Sequence, residues 1–216
     1  MAVTNYAELQ TAITNWMARS DLSGDAAEFI ELAEKRLNRE LRGIQAEQTL
    51  TGIAASRDIS LTAYSVDEPL NLFITDGSDE YEVAKVAFSE QRHITGGARP
   101  RNWSVYNNDT IRFDRVLDQA YPFRLIYEPK FALSSTVTTN WLLDNHSDVY
   151  LAASIVWGGM FTQDIEQVSM WASVLMDGVD SINLHNARFR KGRLHVDPAL
   201  ASTGGRRSDF ETGYGA

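Results

Sequence analysis

The most constraining feature of the chain is a strong helical pattern in residues 23–42. Its apolar residues recur every three or four positions, at Phe29, Ile30, Ala33, Leu37, Leu41 and Ile44, which places them on one side of an α-helix. Asp25 can accept the first free backbone N–H groups, and Glu28 three residues later completes a capping box. Gly43 can end the last turn in the left-handed region. We expect an amphipathic helix here, with one buried face and one charged face.

A second helix is predicted just before it, over residues 6–19, with Asn5 as its cap and Glu8 three residues further on. The connection between the two helices is short and contains Gly24. We therefore expect an antiparallel helical hairpin. The first helix should bury the apolar side chains Leu9, Ile13 and Trp16 against the second.

Strand patterns replace the helical period after about residue 45. Alternating or apolar runs occur at residues 58–62, 70–75, 103–106, 110–114 and 123–127, and residues 81–88 fit either strand or helix. Asn107 and Asn108 join two of these runs, and asparagine tolerates the positive φ that a tight hairpin needs. Five or six short strands form a compact β region in this interpretation.

Helical patterns return near His146 and again over residues 164–188. The dipeptide Gly158-Gly159 is expected to loosen or end the first of these two helices. The predicted fold class is α+β: a helical bundle from both ends of the chain, an inserted small antiparallel β subdomain and an extended carboxy-terminal arm. The corresponding division is residues 1–50, 51–135, 136–189 and 190–216.

Charge is distributed unevenly along the 216 residues. The net charge of −9 disfavours general binding to nucleic acid. From Asn186 onward six Lys or Arg residues face three Asp or Glu residues, a net charge of +3, so the first 185 residues carry −12. This indicates an arm that binds an acidic partner or a neighbouring copy, and the alternative is an arm that is merely solvated.

No motif in the sequence demands catalysis, a cofactor or a metal. The chain has no cysteine, which excludes disulfides, thiolate ligands and a cysteine nucleophile. None of the four histidines lies three or four residues from another, and there is no P-loop, dinucleotide fingerprint or Gly-x-Ser-x-Gly elbow. The longest apolar-rich stretch, residues 149–161, is too short and too interrupted to span a bilayer. We expect a protein that is not an enzyme, has no membrane partner and acts inside a cell.

Several separated segments resemble the adaptor proteins of tailed bacteriophages, which are head-to-tail connectors that dock beneath the portal. The resemblance begins with Tyr6, Leu9, Ile13, Trp16 and residues 19–22, continues through residues 29–34 and 36–42, and resumes at residues 125–127, 132–134, 139–143 and 148–151 and at the long helix with Trp171. These segments recur in the family's order and cover roughly residues 5–190.

The resemblance implies a structural virion protein at the head–tail interface, assembled in the host cytoplasm. Such adaptors form rings, twelve-fold to match the portal, and extend the DNA channel toward a tail nozzle or tail tube, with tail fibres as a possible further partner. We expect the arm to bind the portal through the residues Arg190, Lys191, Arg193, Arg206, Arg207, Phe210 and Tyr214.

The row formed by Arg36, Arg39 and Arg42 is ordinarily a solvated or ion-paired face, and in a ring it is a candidate seam between subunits. Two alternatives remain open. One is another virion interaction module, such as a tail-completion or fibre-docking protein. The other is a small hydrolase.

Overall fold

The computed structural model describes residues 3–189, which form a helical layer and a seven-stranded sheet. The helices are α1 (Tyr6–Trp16), α2 (Ala26–Glu40), α3 (Trp141–Asn145), α4 (Ser147–Thr162) and α5 (Ile165–Phe189). The strands are β1 (Ala46–Thr51), β2 (Asp58–Ser60), β3 (Val66–Asp76), β4 (Asp79–Lys85), β5 (Asn102–Tyr106), β6 (Thr110–Phe113) and β7 (Pro122–Pro129). Two short 3-10 helices lie at Ser20–Gly24 and Phe88–Glu90.

Helix α1 begins as its sequence predicts. The side chain of Asn5 accepts a hydrogen bond from the Glu8 backbone N–H at 3.0 Å, which satisfies one of the free donors of the first turn. The helix ends earlier than expected, because Ala18 takes a left-handed backbone conformation (φ 52°). Leu9 is buried as predicted. Trp16 is 61% exposed, so the prediction that Trp16 is buried is wrong.

Helix α2 starts and ends differently from the prediction. Asp25 makes no side-chain capping bond, because the preceding 3-10 turn leads directly into the helix and leaves Asp25 with helical backbone angles. The helix stops at Glu40, since Leu41 is extended (ψ 136°) and buries its side chain. Arg42 and Gly43 therefore lie beyond the helix, in the segment that leads to the sheet.

Helix α4 lies at the centre of the helical layer and contacts α1, α2 and α5. Its sequence is apolar on all sides, and every residue from Val149 to Val156 is buried. Gly158-Gly159, expected to loosen or end this helix, does not end it, because the helix continues to Thr162. A Cβ on Gly158 would lie 2.5 Å from the Met17 sulfur, and one on Gly159 would lie 2.8 Å from Val168. The two glycines allow neighbouring segments to approach the helix closely.

The sheet is larger than the sequence predicts. Its strand order is β1-β7-β3-β4-β5-β6-β2, and it curls around its own core. Neighbouring strands are antiparallel except β4 and β5, which pair in parallel at Ala84↔Asn102 and Lys85↔Trp103. The class α+β therefore holds, but a helical bundle with a small antiparallel β insertion is a wrong description. The strand that the sequence analysis does not predict is β1, a mainly polar strand in which only Leu50 is buried.

Two separate apolar clusters stabilise the fold, one in the helical layer and one within the sheet. The sheet cluster contains Trp103, and Phe113 stacks on Phe123 with ring centroids 5.0 Å apart. The β5–β6 hairpin forms as predicted, with φ values of 52° at Asn107 and 62° at Asn108. Among the helices of residues 3–189, none combines the length and apolar character that crossing a membrane requires.

Candidate assembly surfaces

The predicted arginine row is divided by the end of α2. The guanidinium of Arg36 pairs with Glu40 at 2.8 Å, one helical turn away. Arg39 is exposed, and no ion-pair partner for it exists among residues 3–189. Arg42 lies beyond the helix, and its guanidinium contacts the carbonyl oxygens of Asn38 (3.4 Å) and Leu41 (3.3 Å). The three side chains therefore do not share a helical face.

The segment that contains Arg42 is attached to α5 by asparagine side chains. Asn183 accepts a hydrogen bond from the Arg42 backbone N–H at 2.8 Å and donates one to the Glu40 carbonyl at 2.9 Å. Asn186 donates to the Arg42 carbonyl at 3.1 Å. These bonds satisfy the backbone groups that the end of α2 leaves without helical partners, and they fix the exit of α2 against the last turns of α5.

The second connection between sheet and helices, after β7, is attached to α2 in a similar way. The side-chain amide of Asn38 accepts from the Phe131 backbone N–H at 2.8 Å and donates to the Phe131 carbonyl at 2.9 Å. One turn earlier, the Glu34 carboxylate accepts from the Leu133 backbone N–H at 2.6 Å. Both chain crossings between the two layers are therefore held by side chains of the helical layer.

Glu34 is also the one acidic residue of the described helices that is buried. Its carboxylate accepts a hydrogen bond of 2.5 Å from the Tyr150 hydroxyl, which in turn accepts one from Asn140 at 3.2 Å. Burial raises the pKa of Glu34, against the lowering effect of the bonds from Tyr150 and Leu133. Burial and the adjacent carboxylate raise the pKa of Tyr150 well above its ordinary value. The network joins α2, α4 and the cap of α3, and its geometry is that of a buried structural anchor.

The outer face of the sheet is charged. The Arg124 guanidinium donates to Glu80 at 2.7 Å and to Glu47 at 3.3 Å, and it lies 4.4 Å from the centre of the Phe73 ring. Arg124 lowers the pKa of the Glu80 carboxyl. The ion pairs of Arg124 with Glu47 and Glu80 link β1, β7 and β4 across the sheet surface. Solvent screening limits what each pair contributes to stability.

The helical layer exposes an unusual amount of apolar surface. Large side chains of α1, α4 and α5 are between 50% and 80% exposed, namely Trp16, Met160, Phe161, Ile165, Met170, Met176 and Leu184. Trp16 packs edge-to-face on Trp171, with ring centroids 5.4 Å apart. Exposed apolar residues scattered singly are normal, whereas a concentration on one layer is typical of a protein–protein interface. The sequence pattern misses this surface because it assigns Trp16 to the buried stripe of the first helix.

An open groove runs between α2 and α5. It has a volume of about 250 Å³ and is lined by Arg36, Glu40, Met176, Val179, Asp180 and Asn183. The two walls come from segments more than 130 residues apart, so no local sequence pattern predicts the groove.

The structure supplies no metal centre within residues 3–189, where no group of three potential ligands comes together. His146 precedes α4 and lies beside Trp141, with ring centroids 5.3 Å apart. The seven residues predicted to bind the portal, from Arg190 to Tyr214, lie outside the described residues.

Comparison with known proteins adds one match. The sequence model of a family described as SU10 adaptor protein matches residues 4–198, a range that includes every helix and strand described above. No curated protein matches the chain.

Proposed function

The chain belongs to the SU10 adaptor protein family, a family of phage adaptors, and on that premise we propose that it is one subunit of a head-to-tail adaptor ring. In this proposal twelve copies dock beneath the portal, extend its DNA channel and provide the platform for a tail nozzle or tail tube. The observation that carries the proposal is the family match across the whole described fold. The helices, the seven-stranded sheet and the arm (residues 190–216) have separate roles in it.

The exposed apolar surface of the helical layer supports ring formation. In a cyclic ring each subunit contacts two neighbours through two different surfaces, and both must be complementary in shape and polarity. Ile165, at 80% exposed, and Phe161, at 61% exposed, are side chains that such a contact would cover. The strongly acidic body, with −12 in its first 185 residues, suits a channel wall along which DNA slides without binding.

Binding of the purified chain to the portal ring of the same phage tests the proposal. We expect a complex with one adaptor ring per portal ring, visible by electron microscopy and separable by sedimentation. A chain that stays monomeric and unbound at micromolar concentrations of portal subunits contradicts it.

The arm is proposed to anchor the ring to the portal. A chain that ends at Phe189 lacks all seven proposed contact residues, and we expect its portal affinity to fall at least about tenfold, which corresponds to ~1.4 kcal/mol. A full-length chain with Arg206→Gln and Arg207→Gln should lose part of this affinity and show a weaker dependence on salt. Equal affinity of the truncated and full-length chains refutes the role of the arm.

Arg39 and Arg42 are proposed to lie at the seam between subunits. Charge reversal at both positions should impair ring assembly and leave the fold intact, because neither guanidinium has an ion-pair partner within residues 3–189. Lys35→Glu is the control for charge reversal on α2, because Lys35 lies on this helix with Arg39 but is outside the proposed seam and pairs with Glu31. Normal assembly of the Arg39→Glu, Arg42→Glu chain excludes the seam.

A further inference from the structure

The groove between α2 and α5 has one polar wall and one mixed wall. On α2, the ion pair between Arg36 and Glu40 forms the rim, with both side chains partly exposed. On α5, Met176 is 60% exposed, and beside it the buried Val179 contributes to the lining. An exposed methionine is an adaptable contact for an apolar side chain, because it is unbranched and polarisable.

The rim of the groove also carries an acidic group that lacks a counterion. Asp180 is exposed and has no ion-pair partner within the part of the chain that the structure describes. Glu40 on the opposite wall is paired with Arg36, so Asp180 leaves the groove with one net negative charge. This charge suits a segment that combines apolar side chains with positive charge.

The carboxy-terminal tail leaves the fold close to the groove. Helix α5 ends at Phe189, six residues after Asn183, which corresponds to about 9 Å along the helix axis. Asn183 is the groove-lining residue of α5 nearest to Phe189, and its side chain binds the backbone of Glu40 and Arg42. The last residue of α5, Phe189, therefore lies about 1.7 helical turns beyond Asn183.

The tail sequence has the composition that the groove requires. Basic residues come first, at Arg190, Lys191 and Arg193, and Gly192 among them permits a reversal of the chain direction. Residues 194–200 follow, with apolar side chains at Leu194, Val196 and Leu200. Four residues span up to about 13 Å and seven residues up to about 23 Å when extended, which suffices to return along α5 from Phe189 to Met176, a distance of about 20 Å.

We propose that residues 194–200 fold back and occupy the α2–α5 groove of the same chain before assembly. Leu194, Val196 and Leu200 cover Met176 and Val179, and the basic residues 190–193 lie near Asp180. The docked tail is not available to a partner, so portal binding by the arm requires its release. The docking itself is a property of the isolated chain and holds or fails independently of the adaptor function.

Two methionines of similar exposure on α5 provide a probe and a reference. Met176 lines the groove and is 60% exposed, whereas Met170 is 58% exposed and lies outside the groove lining. The chain has five methionines and no cysteine, so methyl-labelled methionine gives few NMR signals and His195→Cys gives a single site for a spin label. Met176→Leu and Met170→Leu variants assign the two signals.

In the full-length, spin-labelled chain we expect the Met176 methyl signal to broaden several-fold more than the Met170 signal. Equal broadening, or stronger broadening of Met170, overturns the proposal. In the same chain with Leu194→Ser, Val196→Ser and Leu200→Ser, the preference for Met176 should disappear, and its persistence overturns docking by these apolar side chains. In a mixture of methyl-labelled chains and separate spin-labelled chains, we expect no preferential broadening of the Met176 signal. Preferential broadening in this mixture would show that the tail of a second copy occupies the groove, and it would overturn the proposal.

Discussion

Replacing Tyr150 by phenylalanine tests the buried network most directly. Tyr150 is fully buried in the helical core, and its hydroxyl is the only atom that the substitution removes. That hydroxyl donates to the Glu34 carboxylate at 2.5 Å and accepts from the Asn140 amide at 3.2 Å. The substitution creates almost no cavity, so its cost reports the two hydrogen bonds.

The two bonds differ in strength. A hydrogen bond to a buried charged group contributes about 1.5–3 kcal/mol and a neutral one about 0.5–1.5 kcal/mol. Without the hydroxyl, Glu34 keeps the bond from the Leu133 backbone N–H but loses its side-chain donor. We therefore expect Tyr150→Phe to lower the free energy of unfolding by about 2–4 kcal/mol at neutral pH.

The cost should depend on pH in a defined direction. Burial raises the folded pKa of Glu34 above its unfolded value, so the stability that comes from its protonation is fully present below the unfolded pKa and is lost as pH rises through the folded pKa. The Tyr150 bond lowers the pKa of Glu34, and its removal raises that pKa further. The deficit of the variant should therefore grow as pH rises through the folded pKa and shrink as Glu34 is protonated.

Urea unfolding at several pH values, followed by circular dichroism, measures the effect. Glu34→Gln serves as the background control, because in it the Tyr150→Phe substitution should cost less and the cost should not vary with pH. A Tyr150→Phe cost below about 0.5 kcal/mol, or a cost that is the same at acidic and neutral pH in the wild-type background, refutes the reasoning.

Three further substitutions test the layer connections and the close packing by urea unfolding. Asn38→Ala should cost about 1–3 kcal/mol, because it leaves a backbone N–H and a backbone carbonyl after β7 without their partner; an unchanged midpoint contradicts this. Asp58→Asn should lower the free energy of unfolding by about 1 kcal/mol at neutral pH, because it removes a partly exposed ion pair with Arg112 on β6. The hydrogen bond from Arg112 lowers the pKa of Asp58. The stability difference between wild type and Asp58→Asn is therefore present above the unfolded pKa and should vanish as pH falls through the folded pKa. Gly158→Val should cost about 1–3 kcal/mol through overlap with the Met17 sulfur, whereas Gly24→Ala, with no atom within 4 Å of the added Cβ, should have little effect.

Features governed by neighbouring residues could be predicted from the sequence. The Asn5 cap and the Asn107-Asn108 hairpin both depend on a side chain or a φ value within a few positions, and both predictions are confirmed. The membership of the adaptor family, suggested by separated sequence segments, is also confirmed.

Features governed by distant residues were predicted wrongly or not at all. Helix α2 ends at Glu40 because Asn183, more than 140 positions away, binds the following backbone. Gly158 continues a helix rather than ending it, because Met17 packs against the space it leaves. Strand β1 joins the sheet through β7, although its own sequence is mainly polar.

The candidate surfaces show the same division. Arg36, Arg39 and Arg42 were recognised from their spacing, but the spacing assumes a helix that Arg42 does not belong to. The groove between α2 and α5 and the exposed Trp16 could not be predicted, since both follow from the way in which the helices pack. The proposed roles of the arginine row and of the arm remain predictions.

An electron-microscopy reconstruction of the phage particle with this subunit located tests the central claim most directly. The adaptor proposal predicts twelve copies in a ring immediately beneath the portal, around the DNA channel, with the sequence after residue 189 in contact with the portal. The claim is contradicted if the subunit lies elsewhere in the virion or is absent from it.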